Sequence, residues 1–223
     1  MSYRVLIGSS GRMSKMLQEI LSNEKKDFKI FARDASKREL QNFKGALGVI
    51  DFSSMEATPS IVKLCVEAGC PLVCGTTGWK SKAEAIKIFE VASQQIPILF
   101  DSNFSLGIEV FCQMAEKAAL ISDTAFKITD IHHIHKKDSP SGTALKIEAR
   151  IRNIQPGAKI RIESIREGEV AGEHRLSFQL EHENLELVHR AESRQAFAIG
   201  AIKALDWLVN QKPGIYNMQD LFK

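Results

Sequence analysis

The chain is poor in the residues that mark specialised scaffolds. Its 223 residues include only four cysteines, six prolines and two tryptophans. Cys65, Cys70, Cys74 and Cys112 stand in apolar surroundings without tandem Cys-x-x-Cys spacing. Buried thiols in a reducing cytosol are therefore favoured over a disulfide or metal site. No apolar run approaches the ~18 residues of a membrane helix, and Val5-Leu6-Ile7 is too short for the core of a signal peptide. A cytoplasmic protein without a membrane partner is expected. Charge of one sign is also missing: 30 Lys+Arg against 27 Asp+Glu leaves +3, dispersed along the chain, which argues against a nucleic-acid partner. There is no internal repeat, low-complexity segment or Pro/Gly-rich linker.

What is present is globular: 44% hydrophobic and 26% charged residues, in a length that suits one to two domains. In the first half, apolar runs alternate with helical spacing. Residues 3–7, 28–31, 48–52, 71–74 and 98–100 read as strands, and 13–21, 61–68 and 83–92 as helices. Strands without polar alternation, joined by helices, imply a parallel sheet covered on both faces. The pattern changes near residue 104. A helix over 108–121 is followed by strands over 126–134, 160–166, 174–181 and 185–190, the last three close together as in an antiparallel sheet. A helix over 194–209 follows. The expected fold class is α/β, with a Rossmann-like parallel sheet (residues 1–104 plus 194–223) into which an α+β domain (105–193) is inserted.

Several loops carry candidate chemistry. The turn Gly8-Ser9-Ser10-Gly11-Arg12-Met13 joins a strand to a helix, where free amides and the helix dipole suit a dinucleotide pyrophosphate. The full Gly-x-Gly-x-x-Gly pattern is absent, so an ordinary tight turn stays open. At the end of the second strand, Arg33 could pair with a 2′-phosphate and Asp34 could take ribose hydroxyls; both could equally be solvated loop charges. Gly75-Thr76-Thr77-Gly78 and Asp101-Ser102-Asn103-Phe104 lie at carboxyl ends of strands, where open α/β sheets bind ligands. Their small, polar residues can meet a nicotinamide carboxamide.

The strongest local signal is His132-His133-Ile134-His135-Lys136-Lys137-Asp138-Ser139-Pro140-Ser141-Gly142-Thr143-Ala144. It ends a strand, turns at Pro140 and enters a helix capped by Ser141. Amides near Gly142 and Thr143 and the charge of Lys136 would bind a carboxylate, and imidazole can deliver a proton near neutral pH. Strand alternation puts His133 and His135 on one face and His132 on the other, which makes three-histidine zinc ligation awkward; no metal is expected, and a merely structural cluster remains the bland alternative. His174, His182 and His189, in or beside later strands, read as structural or solvent-facing. Arg194 and Glu181 could support the pocket, though position alone does not show it.

These segments together resemble the 4-hydroxy-tetrahydrodipicolinate reductase (dihydrodipicolinate reductase) family of bacterial and plant diaminopimelate and lysine synthesis. The likeness runs nearly end to end, through Gly8–Met13, Ile50-Asp51-Phe52, Gly75–Gly78, Asn103-Phe104-Ser105 and the specific His132–Ala144 run. It continues in Arg166-Glu167-Gly168, Gly172-Glu173-His174, His189-Arg190-Ala191, Ser193-Arg194 and Phe197–Ala201. The resemblance implies that His132 is a proton donor/acceptor and Lys136 a second proton donor. It assigns the carboxylates of a small cyclic dicarboxylate substrate to His133, Gly142 and Thr143, beside Ser141. Gly8 to Met13 would hold the dinucleotide phosphates, and Gly75 to Thr77 with Asp101 to Phe104 the nicotinamide end. The implied cofactor is NADPH and/or NADH, and the implied assembly a homotetramer formed through the inserted domain. The implied chemistry is loss of water, hydride addition at C4 and protonation of the resulting enamine. The chain departs from the pattern in a shortened stretch between Arg33 and Gly48, in Ser14 after the Arg-Met pair, and in the reversed order Arg33-Asp34, which leaves dual use of NADH and NADPH as the expectation. Two other classes stand as alternatives: a non-catalytic dinucleotide-binding sensor, and a dehydrogenase acting on aspartate semialdehyde, which would need an exposed cysteine nucleophile such as Cys74.

Overall fold

The computed structural model describes residues 3–8, 10–31, 40–77, 82–121 and 125–223; Ser9, Arg33 and Asp34 lie outside them. The chain forms two compact units, Met1–Phe104 with Gln195–Lys223, and Ser105–Arg194.

The first unit contains β1 (Tyr3–Ile7), α1 (Arg12–Asn23), β2 (Phe28–Phe31), β3 (Ala46–Asp51), α2 (Thr58–Ala68), β4 (Leu72–Cys74), α3 (Lys82–Ala92) and β5 (Pro97–Phe100). It is completed by α6 (Gln195–Leu208) and β10 (Gly214–Tyr216). Its six strands run parallel in the order β10-β5-β4-β3-β1-β2. Every residue of β4 and β5 is buried, as expected where helices cover both faces. The strand order reverses at β1, which pairs with β2 on one side and β3 on the other, so Gly8 and Asp51 end neighbouring strands at the switch point where such sheets bind ligands. Helix α6 buries Ala198, Gly200, Ala201, Ile202, Ala204, Leu205 and Leu208. A Cβ at Gly200 would stand 1.7 Å from the Phe104 carbonyl oxygen, so only glycine allows this backbone-to-backbone approach. β10, three residues long, is an element that the apolar periodicity did not indicate.

The second unit contains α4 (Leu106–Ala118), β6 (Ala125–His132), α5 (Gly142–Ile154), β7 (Lys159–Arg166), β8 (Glu173–Gln179) and β9 (Asn184–Arg190). Its sheet order is β7-β6-β8-β9. Here the structure corrects the antiparallel expectation for the last three strands. α5 returns the chain across the sheet, so β7 pairs parallel with β6, and β6 lies between β7 and β8. Only β6/β8 and β8/β9 are antiparallel. Ile108, Phe111 and Cys112 of α4 and Ile147 and Ile151 of α5 form one core with Phe126, Ile128, Leu176 and Phe178 of the sheet. Arg150 fastens α5 to α4 through Glu109, at 2.9 Å, and Glu116. All four cysteines are buried and free.

Candidate active site

The last turn of β6 brings titratable groups together. Asp130 and His132, two residues apart on a strand, share a face, and the register places His174 of β8 opposite Asp130. Asp130 is fully buried, and His132 and His174 are 7% and 3% exposed. The Asp130 carboxylate has Oδ1 2.8 Å from His132 Nδ1 and 3.5 Å from His174 Nε2. Its Oδ2 accepts from the Ser141 backbone N–H at 2.9 Å, from Arg166 Nη2 at 3.1 Å and from Ser164 Oγ at 3.3 Å. Burial alone would raise this carboxyl, but the hydrogen bonds from His132, Ser141 and Arg166 hold it well below the usual carboxylate range. An ionised carboxylate only accepts, so the 2.8 Å contact suits a proton on His132 Nδ1, which leaves Nε2 as the other ring nitrogen of the neutral imidazole. A Cβ at Gly172 would stand 3.1 Å from Nε2, so a side chain there would crowd the ring. The three acid and imidazole groups could also be bridged by a metal, their donor atoms lying within 4.8 Å of one another. However, Arg166 already supplies the positive charge on Asp130.

His174 stacks edge-on to His132, with ring centroids 5.2 Å apart, and its Nε2 lies 3.4 Å from Ser141 Oγ. Burial, followed by the nearby His132, pushes its pKa down to about 3, so it stays neutral. Behind it, His189 is also shifted down by burial. This has a consequence for stability. The unfolded chain protonates His174 near pH 6.5 and the folded chain only near 3, so the unfolded state binds the extra proton between these values. The contribution of His174 is complete above pH 6.5 and is lost as pH falls toward 3. Unfolding by urea at pH 7 and pH 5 should show a loss of about 2 kcal/mol at the lower pH, and His174→Gln should remove most of that difference.

The segment after β6 is not an extended strand. The chain turns at Ile134 and His135, which are exposed, while His133 is half-buried, its N–H donating to Val170 O at 2.8 Å. Ser141 caps α5, its Oγ accepting from the Ala144 N–H at 3.1 Å, which places Gly142 and Thr143 in the first turn. Gly142 is exposed and a Cβ there would meet nothing within 4 Å. Lys136 Nζ lies 3.0 Å from Asp138 Oδ2, and Arg166 Nη2 donates to the Asp138 carbonyl oxygen at 2.6 Å. Lys136, Ser141, Gly142 and Thr143 thus stand around one helix start, connected to His132 through Asp130 and Arg166.

The first unit presents the dinucleotide candidates. Gly8 has φ +94°, a left-handed conformation that suits glycine, and donates to Phe31 O at 2.8 Å. Gly11 is the N-cap of α1 and no side chain caps that helix; Ser10 and Arg12 are exposed and Met13 half-buried. A helix start without a side-chain cap or an acidic first turn fits an anionic pyrophosphate. Thr76 is buried and its Oγ1 lies 3.2 Å from Thr58 Oγ1 and 3.5 Å from Asp51 Oδ2, while Thr77 is exposed. A Cβ at Gly75 would come 2.0 Å from the Phe52 ring. Asp101 is a structural anchor, accepting from the Asn103 N–H at 3.1 Å and the Met218 N–H at 3.2 Å. Ser102 is exposed, and Phe104 is buried edge-on against Phe52 with centroids 5.4 Å apart.

Sequence reasoning missed Asp130, Ser164 and Arg166 as a set, and read His174 as a lone strand histidine. The available signal was Asp130 two positions before His132. His182 is exposed, as that reading expected.

Two family models match the chain: "Dihydrodipicolinate reductase, N-terminus" over residues 4–104 and "Dihydrodipicolinate reductase, C-terminus" over residues 107–222. The 4-hydroxy-tetrahydrodipicolinate reductase of Xanthomonas campestris pv. campestris is 38% identical, over 98% of this chain and 97% of its own length. That of Bdellovibrio bacteriovorus is 35% identical, over 97% and 94%. Among solved structures, dipicolinate-bound dihydrodipicolinate reductase from Paenisporosarcina sp. TG-14 superposes with a TM-score of 0.80 at 20% identity, covering 99% of this chain and 100% of that one; at that identity the likeness speaks for the fold.

Proposed function

This chain belongs to the dihydrodipicolinate reductase family, and from that premise we infer that it reduces 4-hydroxy-tetrahydrodipicolinate to tetrahydrodipicolinate in diaminopimelate and lysine biosynthesis. The observation that carries the reading to named residues is the His132–Asp130 pair beside Lys136 and the start of α5. A nicotinamide dinucleotide, when bound, supplies the hydride. His132 exchanges the proton through Nε2, with the Asp130 carboxylate orienting its ring from the Nδ1 side. Lys136 is the second proton donor. His133 and the amides of Gly142 and Thr143 hold the substrate carboxylates, and preorganised donors of this kind stabilise negative charge that builds during reduction. Ser141 keeps that helix start in place.

Gly8 to Met13 hold the dinucleotide phosphates, and Gly75 to Thr77 with Asp101 to Phe104 the nicotinamide end, which makes the first unit the dinucleotide-binding domain. Arg33-Asp34 in this order suits both NADH and NADPH. The second unit binds substrate and joins copies into a homotetramer. Supporting this, β9 is an exposed edge strand, and Val110, Met114, Ile121, Leu185 and Leu187 line an apolar cavity of about 560 Å³. The working compartment is the cytoplasm. An aspartate-semialdehyde chemistry is disfavoured because Cys74 is fully buried and burial, followed by the charge of Asp51, pushes its thiol up to about 12.

The test couples the purified protein to dihydrodipicolinate synthase, fed with pyruvate and aspartate semialdehyde. Synthase-dependent oxidation of both NADH and NADPH is expected. Cofactor binding without turnover would overturn the reading in favour of a sensor.

A further inference from the structure

Asp138 stands where a ligand carboxylate is wanted. Its Oδ2 is 3.0 Å from Lys136 Nζ, and the Gly142 backbone N–H at the start of α5 is near enough to help lower its pKa. The amide is one that the reading above gives to a substrate carboxylate, and the cation is the one that it makes the second proton donor to the same substrate. Burial opposes the charged form of Asp138, but the Lys136 hydrogen bond and charge, with the Gly142 N–H, hold its carboxyl below the ordinary value, so it is the anion that sits there. The side chain is 55% exposed, and the backbone at this residue is anchored separately by Arg166 Nη2 on its carbonyl oxygen at 2.6 Å. The carboxylate can therefore swing into solvent by rotation of its own side chain, without moving the segment that carries Lys136.

We propose that Asp138 is an internal carboxylate that occupies the Lys136–Gly142 subsite until a substrate carboxylate displaces it, and that it thereby sets the affinity for the dicarboxylate. The proposal rests on the assignment of Lys136 and the α5 start to substrate. Its cost to binding is that of breaking one partly exposed ion pair, and an anion with two carboxylates recovers more than it displaces.

The probe is dipicolinate, a planar dicarboxylate, titrated calorimetrically into the protein saturated with nicotinamide nucleotide. Asp138→Asn keeps the shape and an acceptor for the Gly142 N–H but removes the charge opposite Lys136. It should tighten dipicolinate about three- to five-fold at low ionic strength and lower KM in proportion, whereas Asp138→Glu should not tighten it. The gain should shrink in high salt and vanish in a Lys136→Ala background. If Lys136→Ala weakens dipicolinate but Asp138→Asn does not tighten it, the internal-carboxylate proposal is wrong and the subsite assignment stands. If Lys136→Ala leaves the affinity unchanged, the subsite assignment itself fails, and the proposal with it.

Discussion

Replacing His132 with alanine lowers kcat by about 10²- to 10⁴-fold, the usual worth of a positioned acid or base, and leaves the affinity for the nicotinamide dinucleotide as it was. The argument is geometric. His132 has one nitrogen on a buried, ionised carboxylate, 2.8 Å from Asp130 Oδ1, and the other beside Gly172, where a Cβ would stand 3.1 Å away. An imidazole held this way has one free proton-exchanging atom and a charge partner for its protonated form. Removing the ring takes away the acid, but none of the α1 start or the loops of the first unit that are assigned to the dinucleotide. Steady-state kinetics and a fluorescence titration with NADH separate the two. A collapse of cofactor affinity, or an unchanged kcat, would sink the assignment.

The second large effect belongs to Asp130→Asn, which should lose both stability and turnover. The asparagine is the same size, but its neutral amide leaves the Arg166 guanidinium, 18% exposed and 3.1 Å from Asp130 Oδ2, without its counter-charge. Breaking one side of a buried pair costs about 3–5 kcal/mol, a large share of what a domain has. The amide can also donate to His132 Nδ1, so the tautomer that carries its proton on Nδ1 is no longer favoured over the other. We expect a fall in kcat of about 10²-fold with a shifted pH–rate profile, and urea unfolding with a lower midpoint and unchanged slope. A purely structural role would lower the midpoint and leave the pH profile of the folded enzyme where it was.

Much of this arrangement is readable in the chain. Apolar runs at 71–74 and 98–100, and a mostly apolar one at 3–7, mark strands of a doubly covered sheet, and Ser141 ahead of Gly142 marks a helix start by its hydroxyl chemistry. The reach of this reasoning ends where contacts are non-local. Nothing near Asp130 announces His174 or Arg166, because strand register alone brings them to it. The parallel partnership of β6 and β7 was likewise obscured by proximity along the sequence: β7 and β8 are neighbours in the chain but not in the sheet. β10 escaped because three residues after Pro213 are too few to show a period. The Arg33-Asp34 pair, which bears on cofactor choice, falls outside the described residues.

The division of the chain carries a consequence for how the molecule comes into being. The unit of residues 105–194 is continuous, whereas the other needs α6 and β10 from residues 195–223 to fill its core and extend its sheet beyond β5. Domains commonly fold in the order in which they leave the ribosome. Here the segment translated second is complete while the first still lacks a helix whose buried face includes Ala201, Leu205 and Leu208. A chain cut after residue 194 would therefore hold every element of the second unit and lack α6 and β10 of the first.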